Sequence, residues 1–261
     1  MAWREGDLDL AGVRIHYFRR GRGRPLVLAH GRSDNGECWT RLVETLEEEC
    51  DCIAYDARFH GLSDAPPNGP PGGGDDLLGV VHALGLERPA VLGHSMGARS
   101  IMAAAAARPA PFSCAILEDP PLRMPAAGPG QPTPRFEMPD YTSMTAAQIE
   151  AQGRAMSPGW HPDEFGPWAR SKKQFRPPAV AGLLPPGDWR DEIARMAIPT
   201  LLIYGGNRER FGLVGDEVAA EARRLCPGLE TLKLDEAGHN VRREAFSEFV
   251  AAVREFLARH R

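Results

Sequence analysis

Pro89-Ala90-Val91-Leu92-Gly93-His94-Ser95-Met96-Gly97, running directly into the Ala-rich stretch Ala98–Ala107, is the part of this 261-residue chain that decides its fold. It reads as an apolar strand, a sharp turn with a serine at its apex, and then a helix. Glycines two before and two after the serine let strand and helix approach more closely than side chains would permit. The hydroxyl is thereby held at the carboxyl edge of a sheet. The helix N-terminus behind it stabilises a developing negative charge. Ser95 is the candidate nucleophile, and the backbone N–H of Met96 is the first candidate oxyanion donor.

Working outward, short apolar runs recur at Leu26–Ala29, Cys52–Tyr55, Ala90–Gly93, Cys114–Glu118, Thr200–Tyr204 and Glu230–Leu234. Amphipathic stretches lie between and after them, at Trp39–Glu48, Asp75–Leu84, Met96–Arg108, Asp188–Met196, Asp216–Leu225 and Phe246–Arg259. A hairpin, Asp7–Leu10 and Val13–Phe18, precedes them all. Strands alternating with helices predict an α/β fold with a mostly parallel sheet, and binding at the carboxyl ends of its strands.

From Pro120 to Gly187 the rhythm breaks. Pro120–Pro139 reads as a proline-rich loop and Thr145–Met156 as a short helix, and Pro66–Gly74 is a second loop elsewhere. Disorder is the competing reading of the insertion, but Trp160, Phe165, Trp168 and Phe175 oppose it. The expectation is an α/β core formed by residues 1–121 and 188–261, with a lid at 122–187. Trp160 and Trp168 are candidate substrate contacts on that lid.

Composition narrows the class. A 43% hydrophobic and 25% charged chain suits a globular domain with a real core. A net charge of −4 without a basic stripe excludes nucleic acid as the expected partner and leaves a small-molecule substrate. The N-terminus lacks the apolar core of a signal peptide, and no apolar run approaches a membrane span. The five cysteines are an odd number without metal-ligand spacing. The expectation is a cytoplasmic protein with reduced thiols, no metal and no membrane partner. Oligomeric state leaves no mark in the sequence.

A serine alkoxide needs a base. His239, in Ala237-Gly238-His239-Asn240, follows the last strand-like run, so its loop returns to the same sheet edge as Ser95. The base needs a carboxylate to fix its tautomer. Two acids compete for that place: Asp119, at the end of Cys114–Glu118 and braced by Pro120-Pro121, and Glu209, after Thr200–Tyr204. Asp119 is preferred because a short side chain beside two prolines is rigid. Glu209 lies between Arg208 and Arg210, where it pairs as readily with them.

The second oxyanion donor is expected from the loop His30-Gly31-Arg32-Ser33, with the N–H of Arg32 first and that of Ser33 as the alternative. The Arg32 side chain either holds a substrate carboxylate or points to solvent, and both readings stay open. Ser33 is a further candidate substrate contact. Arg58, Arg123, Arg135, Arg154 and Arg170 are other possible anion contacts.

Together these motifs resemble the α/β-hydrolase family over nearly the whole chain. The likeness rests on His30-Gly31 with Trp39, Asp56-Ala-Arg-Phe-His60-Gly61-Leu-Ser63-Asp64, Gly93–Gly97, Ile198–Gly205 and Gly238-His239, in that order. The resemblance implies an eight-stranded, mostly parallel sheet with helices on both faces, a Ser/acid/His triad, no cofactor, and a lid inserted after strand six. The family's usual acid position, three residues past the glycine that ends strand seven, holds Arg208 here. A smaller subgroup places the acid after strand six, where Asp119 stands. The family's usual glycine between Arg58 and His60 is Phe59 in this chain.

The expected activity is hydrolysis of a small ester, amide or lactone through an acyl-enzyme on Ser95. Carbon–carbon bond hydrolysis on the same triad is the alternative chemistry, and a slow-turnover ligand receptor is the alternative class. Epoxide hydrolysis is disfavoured, because the enzymes that perform it on this scaffold carry an aspartate where Ser95 stands.

Overall fold

Along the central strands successive residues point to opposite faces, and both faces are apolar. Leu26, Leu28, Leu92, Ile116 and Ile203 pack in one core, while their neighbours Val27, Ala29, Val91, Leu117 and Leu202 pack in the other. Strands buried on both faces belong inside a parallel sheet covered by helices. The computed structural model, which describes residues 1–66, 72–106, 111–122, 139–177 and 188–260, has that architecture.

In chain order the elements are β1 (Arg4–Leu10), β2 (Val13–Gly21), β3 (Arg24–Ala29), α1 (Thr40–Leu46), β4 (Cys50–Tyr55), α2 (Gly73–Ala83), β5 (Ala90–His94), α3 (Met96–Ala105) and β6 (Cys114–Glu118). Next come α4 (Ala146–Met156), α5 (Pro162–Gln174), α6 (Trp189–Arg195), β7 (Thr200–Gly205), α7 (Asp216–Leu225), β8 (Leu229–Leu234), α8 (Val241–Glu244) and α9 (Phe246–Arg259). The eight strands form one sheet ordered β1-β2-β4-β3-β5-β6-β7-β8. Among the described residues only the β1–β2 and β2–β4 pairings are antiparallel.

Helices α2, α3, α6 and α7 supply one face's core, and α1 with α9 supplies the other. All five cysteines are buried free thiols. Burial pushes Cys38 up to about 11, which suits a small core residue and not a nucleophile. Among the described residues, no helix is long and apolar enough to cross a membrane and no side-chain cluster is suited to a metal ion.

Between β6 and β7 the structure places α4 and α5, which share an apolar core of their own made by Tyr141, Ile149, Trp160, Phe165, Trp168 and Ala169. The expected helix at Thr145–Met156 is α4, started by a capping box in which Thr145 and Gln148 satisfy each other's backbone N–H groups. Helix α5 was not expected. Pro162 at its first turn and Pro167 inside it hide the helix in the sequence. The rest of the Pro120–Pro139 loop from 123 to 138, residues 178–187, the middle of the Pro66–Gly74 loop and the end of the Met96–Arg108 stretch lie outside the described residues.

Candidate active site

Sheet register brings the first two candidate residues together. In the β5–β6 pairing His94 lies opposite Glu118, so Ser95 and Asp119 are the next residues beyond two adjacent strand ends. The Ser95 N–H donates to the Glu118 carbonyl at 2.9 Å, which locks the turn to β6. Ser95 has φ +51°, a left-handed conformation costly for a residue with a Cβ, and the surrounding packing holds it there. A Cβ on Gly97 would lie 2.0 Å from the Ala29 carbonyl oxygen, so only glycine lets α3 start against β3.

Asp119 is fully buried and accepts three hydrogen bonds. Its Oδ1 takes one from the Val214 N–H at 3.0 Å, and its Oδ2 takes one from the Leu213 N–H at 2.9 Å. The third links Oδ2 to Nδ1 of His239 at 2.7 Å. A carboxylate facing Nδ1 puts the imidazole proton there and leaves Nε2 as the basic nitrogen. The His239 loop crosses the end of β7 at close range. A Cβ on Gly205 would lie 2.1 Å from the Gly238 carbonyl oxygen, and one on Gly238 would lie 2.0 Å from that of Arg210. Those two glycines are what the crossing requires.

Glu209, the competing acid, is exposed in a 3-10 turn at Arg208–Arg210, and its backbone N–H is capped by Asn207. No hydrogen bond links it to His239 among the described residues.

The loop after β3 lies against the elbow. A Cβ on Gly31 would come within 3.5 Å of the Ser95 Cβ and 2.6 Å of the His94 Nδ1. Met96 opens α3, so its N–H has no acceptor within the helix. Ser33 is buried with its hydroxyl turned toward Lys172 at 3.1 Å. Trp160 and Trp168 belong to the apolar core between α4 and α5, which accounts for their burial without a ligand.

Arg32 is exposed as a residue, yet its guanidinium carbon lies 6.0 Å from the ring centre of Phe175, and partial burial lowers its pKa. Among the described residues no carboxylate pairs with it. The other arginines are committed: Arg58 to Asp76 at 2.8 Å, Arg154 to Glu150 at 2.7 Å and Arg170 to Glu37 at 2.9 Å. Arg123 and Arg135 lie outside the described residues.

Three buried histidines surround this edge as neutral rings. His94 donates Nε2–H to the His239 carbonyl at 3.0 Å, a contact the sequence reading missed. His30 donates Nδ1–H to the Gly31 carbonyl, and His60 donates Nδ1–H to that of Arg58, both at 2.8 Å. Burial first, and then the adjacent imidazole (His30 for His60, His239 for His94), lower His30 and hold His60 and His94 well below 6.5. Their folded pKa values are depressed, so the stability they contribute is present above 6.5 and is lost as pH falls. The loss is about 1.4 kcal/mol per pH unit for each histidine until its folded pKa is reached. Buried acids such as Asp56 and Glu118, raised by desolvation, offset part of that slope. Denaturant unfolding of His60→Gln below 6.5 should therefore show a pH slope shallower than wild type by about one proton. Equal slopes would place His60 in an ordinary hydrated setting.

The other group missed in the sequence is a buried ion cluster of Lys172, Asp34, Arg243, Glu164, Arg242 and Glu118. Its one sequence signal is the doubled arginine directly after His239-Asn240-Val241.

A doubly covered parallel sheet carrying a strained serine, a buried acid and a histidine on one edge is the framework of a hydrolase. Residues 26–253 match the model of the Alpha/beta hydrolase family, and the chain belongs to that family. An N-formylmaleamate deformylase of Pseudomonas putida is 29% identical over 263 residues, 97% of this chain and 96% of that protein. A 2-(acetamidomethylene)succinate hydrolase of Mesorhizobium japonicum is 32% identical over 104 residues, 39% of this chain and 37% of that protein. The crystal structure of E-2-(acetamidomethylene)succinate hydrolase matches with a TM-score of 0.76 at 22% identity, covering 98% of this chain and 100% of that one. The chain is an enzyme of the hydrolase class, and its expected eight-stranded fold is the one observed.

Proposed function

We propose that this enzyme is a serine hydrolase that cleaves a small, carboxylate-bearing amide through an acyl-enzyme on Ser95. The observation that carries this reading is the 2.7 Å contact between Asp119 Oδ2 and His239 Nδ1, one strand end away from a serine held at φ +51°. Ser95 Oγ attacks the amide carbonyl while His239 Nε2 takes its proton. The oxyanion is received by the N–H groups of Met96 and Arg32. His239 then protonates the leaving nitrogen as the carbon–nitrogen bond breaks. A water deprotonated by the same ring attacks the acyl carbon and frees the acid, restoring Ser95. Helices α4 and α5 serve as the lid.

The substrate class rests on two supports. Both relatives' names denote amide-containing carboxylates. In this chain Arg32 carries a guanidinium with no carboxylate partner among the described residues, on the loop that lies against Ser95, suited to a substrate carboxylate.

The direct test is exposure to a fluorophosphonate probe followed by peptide mapping. One adduct on Ser95, absent from Ser95→Ala, is the expected result. Folded wild type without an adduct on Ser95 would overturn the nucleophile assignment. Turnover of an N-formyl or N-acetyl enamide diacid, but not of its neutral diester, tests the substrate class. Arg32→Met is expected to lower kcat/KM for the diacid by about 10- to 150-fold, the value of one charged hydrogen-bonded contact, and mostly through KM. An equal loss on a neutral amide would remove Arg32 from carboxylate recognition.

A further inference from the structure

Helix α5 and the loop that lies against Ser95 meet at one buried ammonium. Lys172 donates from Nζ to the Ser33 carbonyl at 3.0 Å, to the Ser33 hydroxyl at 3.1 Å and to Asp34 Oδ1 at 2.8 Å. Three of the ammonium's four contacts thus fall on two consecutive residues of that loop, and the fourth reaches the Ser171 hydroxyl at 3.5 Å. The ring of Trp168 lies 4.9 Å away, and Lys172 is 7% exposed.

The loop has reason to need this hold. Ser33 sits at φ +64°, a conformation that residues with a Cβ avoid. Its own turn is closed by the Asp34 N–H donating to the Gly31 carbonyl at 3.1 Å. Asp34 is itself anchored on its far side, with Oδ2 accepting from Arg243 at 3.1 Å. Burial alone would raise the Asp34 carboxyl, but Arg243, Lys172 and Arg242 outweigh it and hold the group well below the usual carboxylate range. The carboxylate is therefore a fixed anion, and Lys172 is fixed between it and the Ser33 carbonyl.

We propose that Lys172 is a positioning residue that sets the Gly31–Asp34 loop for oxyanion binding, so the oxyanion site is complete only while α5 is docked. The inference rests on the Ser95 reading above and adds a role for a residue that touches no reacting atom. The N–H of Arg32 precedes the Ser33 carbonyl by a single residue. Freeing Ser33 from its positive φ rotates the adjoining peptides, and the Arg32 donor no longer faces the site that Ser95 attacks.

Another tie between α5 and the body of the enzyme provides a control. Glu164 accepts from Arg243 Nε at 3.0 Å and, among the described residues, makes no hydrogen bond with Ser33 or Asp34. A general strap would make Lys172 and Glu164 equivalent. A positioning role makes them different.

The test compares second-order rates of Ser95 phosphonylation by the fluorophosphonate probe in wild type, Lys172→Met and Glu164→Gln, with kcat and KM measured alongside. In Lys172→Met the labelling rate and kcat are expected to fall about 100-fold, near the loss of one oxyanion donor, with KM changed by less than about threefold. In Glu164→Gln labelling is expected within about threefold of wild type. Should Lys172→Met fail to fold, Lys172→Arg replaces it. The planar guanidinium keeps the charge but does not reach all three acceptors, and a drop of about tenfold is expected. Wild-type labelling rates in a folded Lys172 variant, or an equal slowing in Glu164→Gln, overturn the proposal alone. Absence of labelling in wild type removes the nucleophile reading, and this inference falls with it.

Discussion

Ser95→Ala is expected to lower kcat about a million-fold, and removal of His239 in the same protein is expected to cost nothing further. In the proposed mechanism the two residues act as one unit. Without Oγ, Nε2 of His239 has no hydroxyl proton to take and no acyl group to release. What remains is binding and the oxyanion N–H groups, which together keep about 10³–10⁴-fold over water. Substrate affinity should be little altered, because the Ser95 side chain is small and its N–H bond to the Glu118 carbonyl is backbone-made. The fold should also survive. Alanine at φ +51° is strained much as serine is, and the close contacts of Gly93 and Gly97 that enforce the turn are untouched. Single-turnover kinetics of Ser95→Ala, His239→Ala and the double variant check the claim. If Ser95→Ala kept activity within about tenfold of wild type while His239→Ala lost it, His239 would be activating water directly, and no acyl-enzyme would form.

The elements easiest to read in the sequence were those whose environment repeats along the chain. Residues 26–29 and 114–118 are apolar throughout because each alternate side chain meets a helix layer, so their burial is written residue by residue. The glycines of Gly93–Gly97 and Gly238 were legible for a different reason: backbone passes where a Cβ would stand. Asp119 follows the end of β6, the position the sequence places it in, but its two backbone donors, Leu213 and Val214, are not legible there, since an N–H group has no signature in side-chain identity. Neither Lys172 nor Arg243 has a sequence neighbour that marks it as buried. Their shared partner Asp34 lies 138 and 209 residues away, and only the fold reveals that all three are inside. Arg32 stayed ambiguous because its meaning depends on which other arginines already have partners. Helix α5 was lost to its own prolines and to charges that serve the ion cluster instead of solvent.

Asp119→Asn tests the third candidate residue with the smallest change of shape, and kcat is expected to fall about 10⁴-fold. The carboxylate accepts from Leu213 and His239 at Oδ2 and from Val214 at Oδ1, so every bond it makes is one it receives. An amide has one oxygen to accept with and one NH₂ group that must donate. If the NH₂ takes the Oδ1 place, it faces the Val214 N–H. If it takes the Oδ2 place, it faces the Leu213 N–H and Nδ1 of His239 together. The first orientation keeps the histidine tautomer at the expense of one buried donor–donor clash, worth about 1–3 kcal/mol of stability. The second removes that clash from Val214 but drives the imidazole proton to Nε2, where it blocks proton transfer from Ser95. Even in the first orientation a neutral amide no longer stabilises the imidazolium that forms during attack. Backbone strain is not a confounding factor, because asparagine tolerates the φ of +40° that Asp119 adopts. Glu209→Gln is the companion measurement, and this exposed position is expected to change kcat by less than about twofold. Asp119→Asn near wild-type activity with a large loss in Glu209→Gln would move the acid to the end of β7. The opposite pattern, together with a lowered Tm confined to Asp119→Asn, would tie the base at His239 to the strand-six carboxylate and explain how the enzyme works with Arg208 at the family's usual acid position.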